Sequence, residues 1–363
     1  MKFAFFGLYG VFEYSRIGGL ESFHRRLAGE LVRRGHQVDF ILYGAPTSDF
    51  KSVNNNIGLY HLKNLSKALQ FLVKEKKYDH ILTFYLPPAD RLRYLYLRFL
   101  YRRKLCFHQI YFNWPDSLLK RKGMFVDARL YPFNGRLICI SPRQFNYARQ
   151  WCSRATLLFP PVPESYFVEP DAKPKHEKVQ VTYIGRTEAG KGIEAVIQLF
   201  TYLKDCPQVE VAIHGFHHKT LPASVKTHEW LSQQHEIRYI YTPFEGYSSA
   251  VEDNLRQTLK NTDVLLLPYH RLSSTIDTPL LLLEGMASLC AIVTRKLGNI
   301  PDIYGPSPFL FHESAEIATI AEQIKAAPGL LDQERQRIYR QNQWLGFKLN
   351  NTVERLVDVL SMG

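Results

Sequence analysis

No apolar run in the chain approaches the roughly 20 residues that a helix needs to cross a bilayer. Paired cysteines are missing too. Cys106, Cys139, Cys152, Cys206 and Cys290 are odd in number, and no two are closely spaced. This argues against a disulfide framework or a zinc site and for a reducing, cytosolic compartment. No small-residue cleavage site follows the opening "MKFAFFGLYG", which reads as a first strand rather than a signal peptide. The chain has no G-x-G-x-x-G fingerprint, no D-x-D motif, no solenoid-spaced repeat and no low-complexity tract. Aromatic-rich nucleic-acid-binding motifs are also absent, so no nucleic-acid partner is expected.

What the chain does have is size and positive charge. Its 363 residues, 45% of them hydrophobic, predict two domains with substantial cores. A net charge of +12 favours phosphate-rich partners such as nucleotides or anionic lipid headgroups. "RLRYLYLRFLYRRK" (91–104) holds six basic residues and no acid. On a helix, Arg91, Arg98 and Arg102 share one stripe. The segment reads either as a mostly buried helix with a solvated arginine edge or as a patch for an anionic membrane surface.

Short β-like runs alternate with helical segments: "KFAFFGL" (2–8), "QVDFILY" (37–43), "DHILTF" (79–84), "KLCFHQI" (104–110) and "RLICIS" (136–141). Between the first two, Leu20, Phe23, Leu27 and Leu31 recur at helical spacing, with Gly35 as a stop. A stretch with five prolines interrupts the pattern at 159–178. Strands then resume with "VQVTYIG" (179–185), "VEVAIHG" (209–215), "IRYIY" (237–241), "DVLLLP" (263–268) and "CAIVT" (290–294). The expected fold is α/β, with two doubly wound parallel-sheet (Rossmann-like) domains. The expected boundaries are 1–160, a linker at 161–178, and a second domain at 179–330. A helical segment at 331–363, with a break near Gly346, either closes the second domain or crosses back to the first.

Ligands of such domains bind where strand ends lead into helix N-termini, and three junctions carry suitable residues. Gly18 and Gly19 precede the first helix, where they would allow close backbone approach to an anion; a plain tight loop would carry them equally well. In "YIGRTEAGKGIEAV" (183–196) a strand ends at Gly185, and Arg186 and Lys191 flank a loop suited to two adjacent phosphates. It is not a Walker loop, because Gly192 stands where the magnesium-binding Ser or Thr would be. In "DTPLLLLEGMA" (277–287) Pro279 is expected at the first helical position, capped by Asp277 or Thr278. Glu284, about one turn in, is a buried carboxylate in need of a partner, such as a ribose diol, the helix N-terminus or a lysine.

In order and spacing these pieces resemble the retaining GT-B glycosyltransferases of the family 4 (glycosyl transferases group 1) type. The likeness rests on "GGLESFHRRLAGELVRRGHQVDF", "GRTEAGKG", "TPLLLLEGMASLCAIVTRKLGNIPDIYG" and "RLICISPRQFNYARQW". It implies two domains facing across a cleft and transfer of a hexose-type sugar, with retention of configuration, from a UDP- or GDP-sugar donor. The acceptor would be a glycan or a lipid-linked sugar. No cofactor and no metal are implied; the nucleotide sugar is a co-substrate. The resemblance casts Arg186 and Lys191 as holders of the diphosphate and Glu284 as the ribose ligand. Backbone groups around Thr278, Leu280 and Leu281 would contribute at the helix start, and His108 would sit beside the transferred sugar. A first glutamate, eight residues before Glu284 in the family, is Ile276 here, with Asp277 beside it as a substitute. Leu289 replaces a usual glycine. The segments 91–104 and 118–123 suggest a cytoplasmic enzyme that visits the membrane. The alternatives are a non-catalytic nucleotide-sugar-binding subunit and a nucleotide-sugar epimerase.

Overall fold

The computed structural model describes the chain apart from 9–17, 45–55, 75–77, 85–89, most of 91–105 and 115–134, 188, 217–221, 236, 242–248, 272–274, 327 and 362–363. It divides into two compact units. The first comprises Met1–Pro163 with Phe347–Gly363, and the second is Glu164–Gly346. The boundary falls inside the proline-rich stretch. Residues 164–178 therefore belong to unit 2, and the chain returns to unit 1 just after Gly346.

Unit 1 is a seven-stranded parallel sheet in the order β3-β2-β1-β4-β5-β6-β7. The strands are β1 (Lys2–Leu8), β2 (Gln37–Tyr43), β3 (Ile57–Leu62), β4 (His80–Thr83), β5 (Phe107–Tyr111), β6 (Leu137–Cys139) and β7 (Ala155–Leu157). Every pairing is parallel, and the central strands are near-continuous apolar runs because helices cover both faces. Helix α1 (Gly19–Arg33) buries Phe23, Leu27 and Leu31 and ends at Gly35, whose φ of +81° suits glycine. Helices α2 (Leu65–Lys74) and α3 (Pro142–Ala148) follow. The C-terminal α11 (Leu349–Ser361) is held by Arg33 and Arg34, whose guanidinium groups donate to Asn350 Oδ1 (3.0 Å) and Asn350 O (2.8 Å). Val162 pairs with the same return segment, donating to Phe347 O and accepting from Leu349 N–H.

Unit 2 is a six-stranded parallel sheet, β10-β9-β8-β11-β12-β13. Its strands are β8 (Val179–Arg186), β9 (Val209–Phe216), β10 (Arg238–Tyr241), β11 (Val264–Leu267), β12 (Ala291–Arg295) and β13 (Leu310–Phe311). Between and after them run α4 (Ile193–Leu203), α5 (Pro222–Ser232), α6 (Ser249–Lys260), α7 (Leu280–Ala287), α8 (Ile300–Tyr304), α9 (Ile317–Lys325) and α10 (Pro328–Leu345). Buried Lys173 fastens the entry segment to this unit. Its ammonium donates to the carbonyls of Leu259 (3.2 Å), Thr262 (2.7 Å) and Ser288 (2.7 Å), at or just past the ends of α6 and α7, where free carbonyls favour a cation. In each sheet the strand order reverses beside its first strand, between β1 and β4 and between β8 and β11. Such switch points open a crevice at the carboxyl ends of the strands.

Candidate active site

The β8/β11 switch point of unit 2 is where the phosphate-type loop begins. β8 runs out at exposed Arg186, whose carbonyl accepts a hydrogen bond from the Tyr183 hydroxyl at 2.6 Å. Gly192, just before α4, has φ +82°, and a Cβ there would lie 1.9 Å from Pro268 O. Only glycine permits both the left-handed backbone and that approach, so the loop is pinned against the end of β11. The Lys191 ammonium lies 5.1 Å from the centre of the Tyr269 ring, within cation–π range. Burial pushes the Tyr269 hydroxyl far up from its ordinary value, the Glu284 charge adds to this, and Arg186 opposes it. Arg186, Lys191, Tyr269 and Glu284 therefore share one electrostatic neighbourhood.

Glu284 sits in the second turn of α7 and is 3% exposed. The helix starts one residue later than its sequence suggests. Pro279 is the N-cap rather than the first helical residue, and neither Asp277 nor Thr278 stands at the cap, because no side chain caps this end. Pro279 O instead accepts from Leu282 and Leu283 N–H, and Leu280 and Leu281 form the first turn. Asp277 is buried, and its Oδ2 accepts from Asn299 Nδ2 at 2.8 Å. Ile276 is buried as well, and Leu289, which follows α7, has a φ of +56°.

The residues singled out in unit 1 lie apart from those of unit 2 in the chain's organisation. Gly18 is the N-cap of α1, and Gly19 is its first residue. The Glu21 carboxylate folds back so far that a Cβ on Gly18 would meet its Oε2 at 2.2 Å. His108 requires a correction. The strand read as 104–110 runs from Phe107 to Tyr111, which makes His108 its second residue rather than a residue near its carboxyl end. His108 is 2% exposed; its Nδ1 accepts from Arg136 N–H at 3.1 Å, and its Nε2 lies 3.1 Å from His80 Nδ1. It lies in the amino half of β5, opposite Leu82 of β4 and roughly 10 Å of strand before the carboxyl end of β5. Most of 91–104 and nearly all of 118–123 lie outside the described residues. Asp90, Arg93, Tyr96 and Phe99 are helical, with Tyr96 63% and Phe99 52% exposed.

Two site residues escaped the sequence reading. Tyr269 stands two residues past β11, and its position in "LLLPYH", directly after a buried strand, was the available signal. Asn299 stands in "GNIPD", but nothing local announces its bond to Asp277.

Residues 168–343 match the model of the family described as Glycosyl transferases group 1. No curated protein matches the chain. Among solved structures, a sucrose-phosphate synthase from Thermosynechococcus elongatus is similar at a TM-score of 0.69 and 15% identity, over 99% of this chain and 98% of that one. Anabaena Alr3699/HepE, solved with UDP-glucose, is similar at 0.67 and 16%, over 100% of both chains. WaaG, a glycosyltransferase involved in lipopolysaccharide biosynthesis, is similar at 0.63 and 14%, over 99% of this chain and 100% of that one. The chain thus has the two-unit, parallel-sheet α/β fold of the GT-B glycosyltransferases, and its residues 168–343 resemble the Glycosyl transferases group 1 family.

Proposed function

We propose that this protein transfers a hexose-type sugar from a nucleotide-diphosphate sugar to a glycan or lipid-linked acceptor, with retention of configuration and without a metal ion or cofactor. The observation that carries this reading is the convergence of Arg186, Lys191, Tyr269 and Glu284 at the carboxyl ends of β8 and β11. Arg186 and Lys191 present two cations to the two phosphates, and their charge stabilises the departing nucleoside diphosphate as negative charge develops on it. The uncapped first turn of α7, at Leu280 and Leu281, adds backbone N–H groups to the same end. Glu284, buried in the next turn, accepts hydrogen bonds from the ribose hydroxyls. We favour a UDP-sugar over a GDP-sugar, because a neighbour of the same fold was solved with UDP-glucose. Asp277, tethered by Asn299, takes the place of the glutamate missing at Ile276. His108 has no part in the reacting set.

Thermal stabilisation by UDP, GDP and ADP, followed by their sugar conjugates, tests the donor assignment. A shift with one diphosphate and its sugars, together with sugar release into a mixed acceptor pool, is the expected result. A shift without any transfer to acceptor or water would favour the non-catalytic binding subunit, for which buried Ile276 is the supporting observation.

We further propose that the protein acts at the cytoplasmic face of a membrane. Arg93, Tyr96 and Phe99 are each helical and exposed, so a cation and two aromatics at three-residue spacing face solvent, a set suited to an anionic interface. Flotation with anionic vesicles should carry the wild type and leave the double variant Tyr96→Ser, Phe99→Ser behind. Equal flotation of both would remove the membrane from the proposal.

A further inference from the structure

At the amino edge of the unit 1 sheet, far along the strands from the loops discussed above, two adjacent strands bring three metal-ligating side chains together. His80 opens β4, His108 is the second residue of β5, and Cys106 immediately precedes β5. His80 Nδ1 lies 3.1 Å from His108 Nε2, and Cys106 Sγ lies 3.4 Å from the same nitrogen. All three ligand atoms fall within 4.8 Å of one another, the one such group of three among the described residues. A tetrahedral zinc ion bonds imidazole nitrogen at about 2.0–2.1 Å and thiolate sulfur at about 2.3 Å, which separates its ligand atoms by roughly 3.3–3.6 Å. Two of the three separations here are already close to that spacing. The third, between His80 and Cys106, is no more than 4.8 Å, so it has to close by about 1 Å at most, a change within reach of side-chain rotation.

We propose that His80, Cys106 and His108 form a binding site for a thiophilic divalent cation of the zinc type, with water completing the coordination. The donor set selects for this class: two imidazoles and a thiolate suit zinc, whereas magnesium and calcium require oxygen ligands. Cys106 is partly exposed, which leaves a route for the ion. Loading has a defined proton balance. As hydrogen-bonded here, His108 accepts from Arg136 N–H at Nδ1, so its neutral ring carries the proton on Nε2, facing His80. When the ion takes Nε2, that proton moves to Nδ1, the bond to Arg136 N–H opens, and the Cys106 thiol releases its proton to solvent. The segment that has to yield is Gly135–Arg136, at the entry to β6. Sequence spacing hides the site because Cys106 has no cysteine partner; its co-ligands come from the same strand and from the neighbouring one in the sheet.

The site lies outside residues 168–343 and does not depend on the transferase reading. The test uses the full chain, stripped with a chelator and titrated with Zn²⁺ and with Co²⁺. One equivalent of zinc bound per chain at micromolar concentration, a raised melting temperature, and a thiolate-to-cobalt charge-transfer band are the expected results. The band should vanish in Cys106→Ser and in His80→Gln and persist in the control Cys206→Ser. A second readout needs no variant: zinc should slow alkylation of Cys106 in the wild type at least tenfold, as followed by peptide mass spectrometry. Absence of stoichiometric binding, unchanged alkylation of Cys106, or a band that survives Cys106→Ser would overturn the proposal and leave the cluster as a hydrogen-bonded lock.

Discussion

The two units share one plan, a doubly wound parallel sheet with its order reversed beside the first strand, yet they gather their chemistry at opposite ends. In unit 2, Arg186, Lys191, Tyr269 and Glu284 meet at the carboxyl ends of β8 and β11, where the fold opens a crevice and helix N-termini point. In unit 1 the metal-ligating group among the described residues, His80, Cys106 and His108, gathers toward the amino ends of β4 and β5. There β-strands begin, and a ligand would gain nothing from helix N-termini. A polar cluster at the carboxyl edge can bind an anion with help from the backbone. One at the amino edge has only its side chains, which suits a cation. A shared fold therefore does not give its two halves a shared function; the edge on which the residues fall decides.

The sharpest way to break this comparison is at the phosphate loop. Arg186→Ala and Lys191→Ala should each lower turnover by roughly a hundredfold or more, the scale for losing one preorganised charge at a developing anion. Steady-state kinetics with the identified donor measures this, and normal turnover in both would mean that the carboxyl edge of unit 2 is not the reacting end. Glu284→Ala should act differently, raising the KM for the donor more than it lowers kcat, because it binds ribose rather than the reacting group. Gly192→Ala comes next. It imposes a left-handed backbone on a residue with a side chain, at about 1–2 kcal/mol, and drives a Cβ against Pro268 O. Denaturant unfolding should show a loss above that range, accompanied by reduced turnover as Lys191 shifts off Tyr269.

Much of this was legible in the residues. The continuous apolar runs of β1, β2, β8, β11 and β12 are what strands buried on both faces require, and "GRTEAGKG" and "EGMA" carry their chemistry locally. Strands β3, β7 and β13 were not read, and the topology explains why. All three are edge strands, two of them only three and two residues long, and β3 is only partly buried, so none shows an uninterrupted apolar run. The error over His108 has a similar origin. The strand is read as starting three residues too early and ending one too early, so His108 shifts from fifth of seven residues to second of five, and the parallel register sets it opposite Leu82. Tyr269 has only its place after a buried strand to announce it, and Asn299 has nothing local, because each matters through a partner distant in sequence.

Leu289 offers a finer test within unit 2. The resemblance expected glycine there, and Leu289 holds a left-handed φ of +56° while being fully buried. The backbone strain is about 1–2 kcal/mol, whereas burying the side chain returns roughly 1.5–3 kcal/mol. Leucine is therefore tolerated. Truncation should invert the usual order of substitutions: Leu289→Ala loses the packing and keeps the strain, whereas Leu289→Gly loses the packing and relieves it. Leu289→Gly is expected to be the more stable of the two by about 1 kcal/mol, as measured by paired urea unfolding.

The smallest expected effect compares one buried carboxylate in each unit through acid. Burial alone would raise Glu30 in unit 1, but hydrogen bonds and charge from Arg33 and Arg34 bring it below its ordinary value of 4.5. In unit 2 burial likewise opposes Arg337, Tyr304 and Ser307 at Glu334, and the partners again win. Both carboxyls are thus depressed on folding. Each contributes stability that is complete above the unfolded value and is lost as pH falls through the lower folded value. Glu334→Gln and Glu30→Gln should therefore each be less stable than the wild type at neutral pH and lose less stability on further acidification. Arg33 and Arg337 each bond their carboxylate through two nitrogens, but Arg33 is largely solvent-exposed whereas Arg337 is mostly covered, so water screens the Arg33–Glu30 pair more strongly. The flattening should accordingly be greater for Glu334→Gln. Equal flattening would mean that the ion pairs of the two units are equally screened, and that the contrast between the units lies in their edges alone.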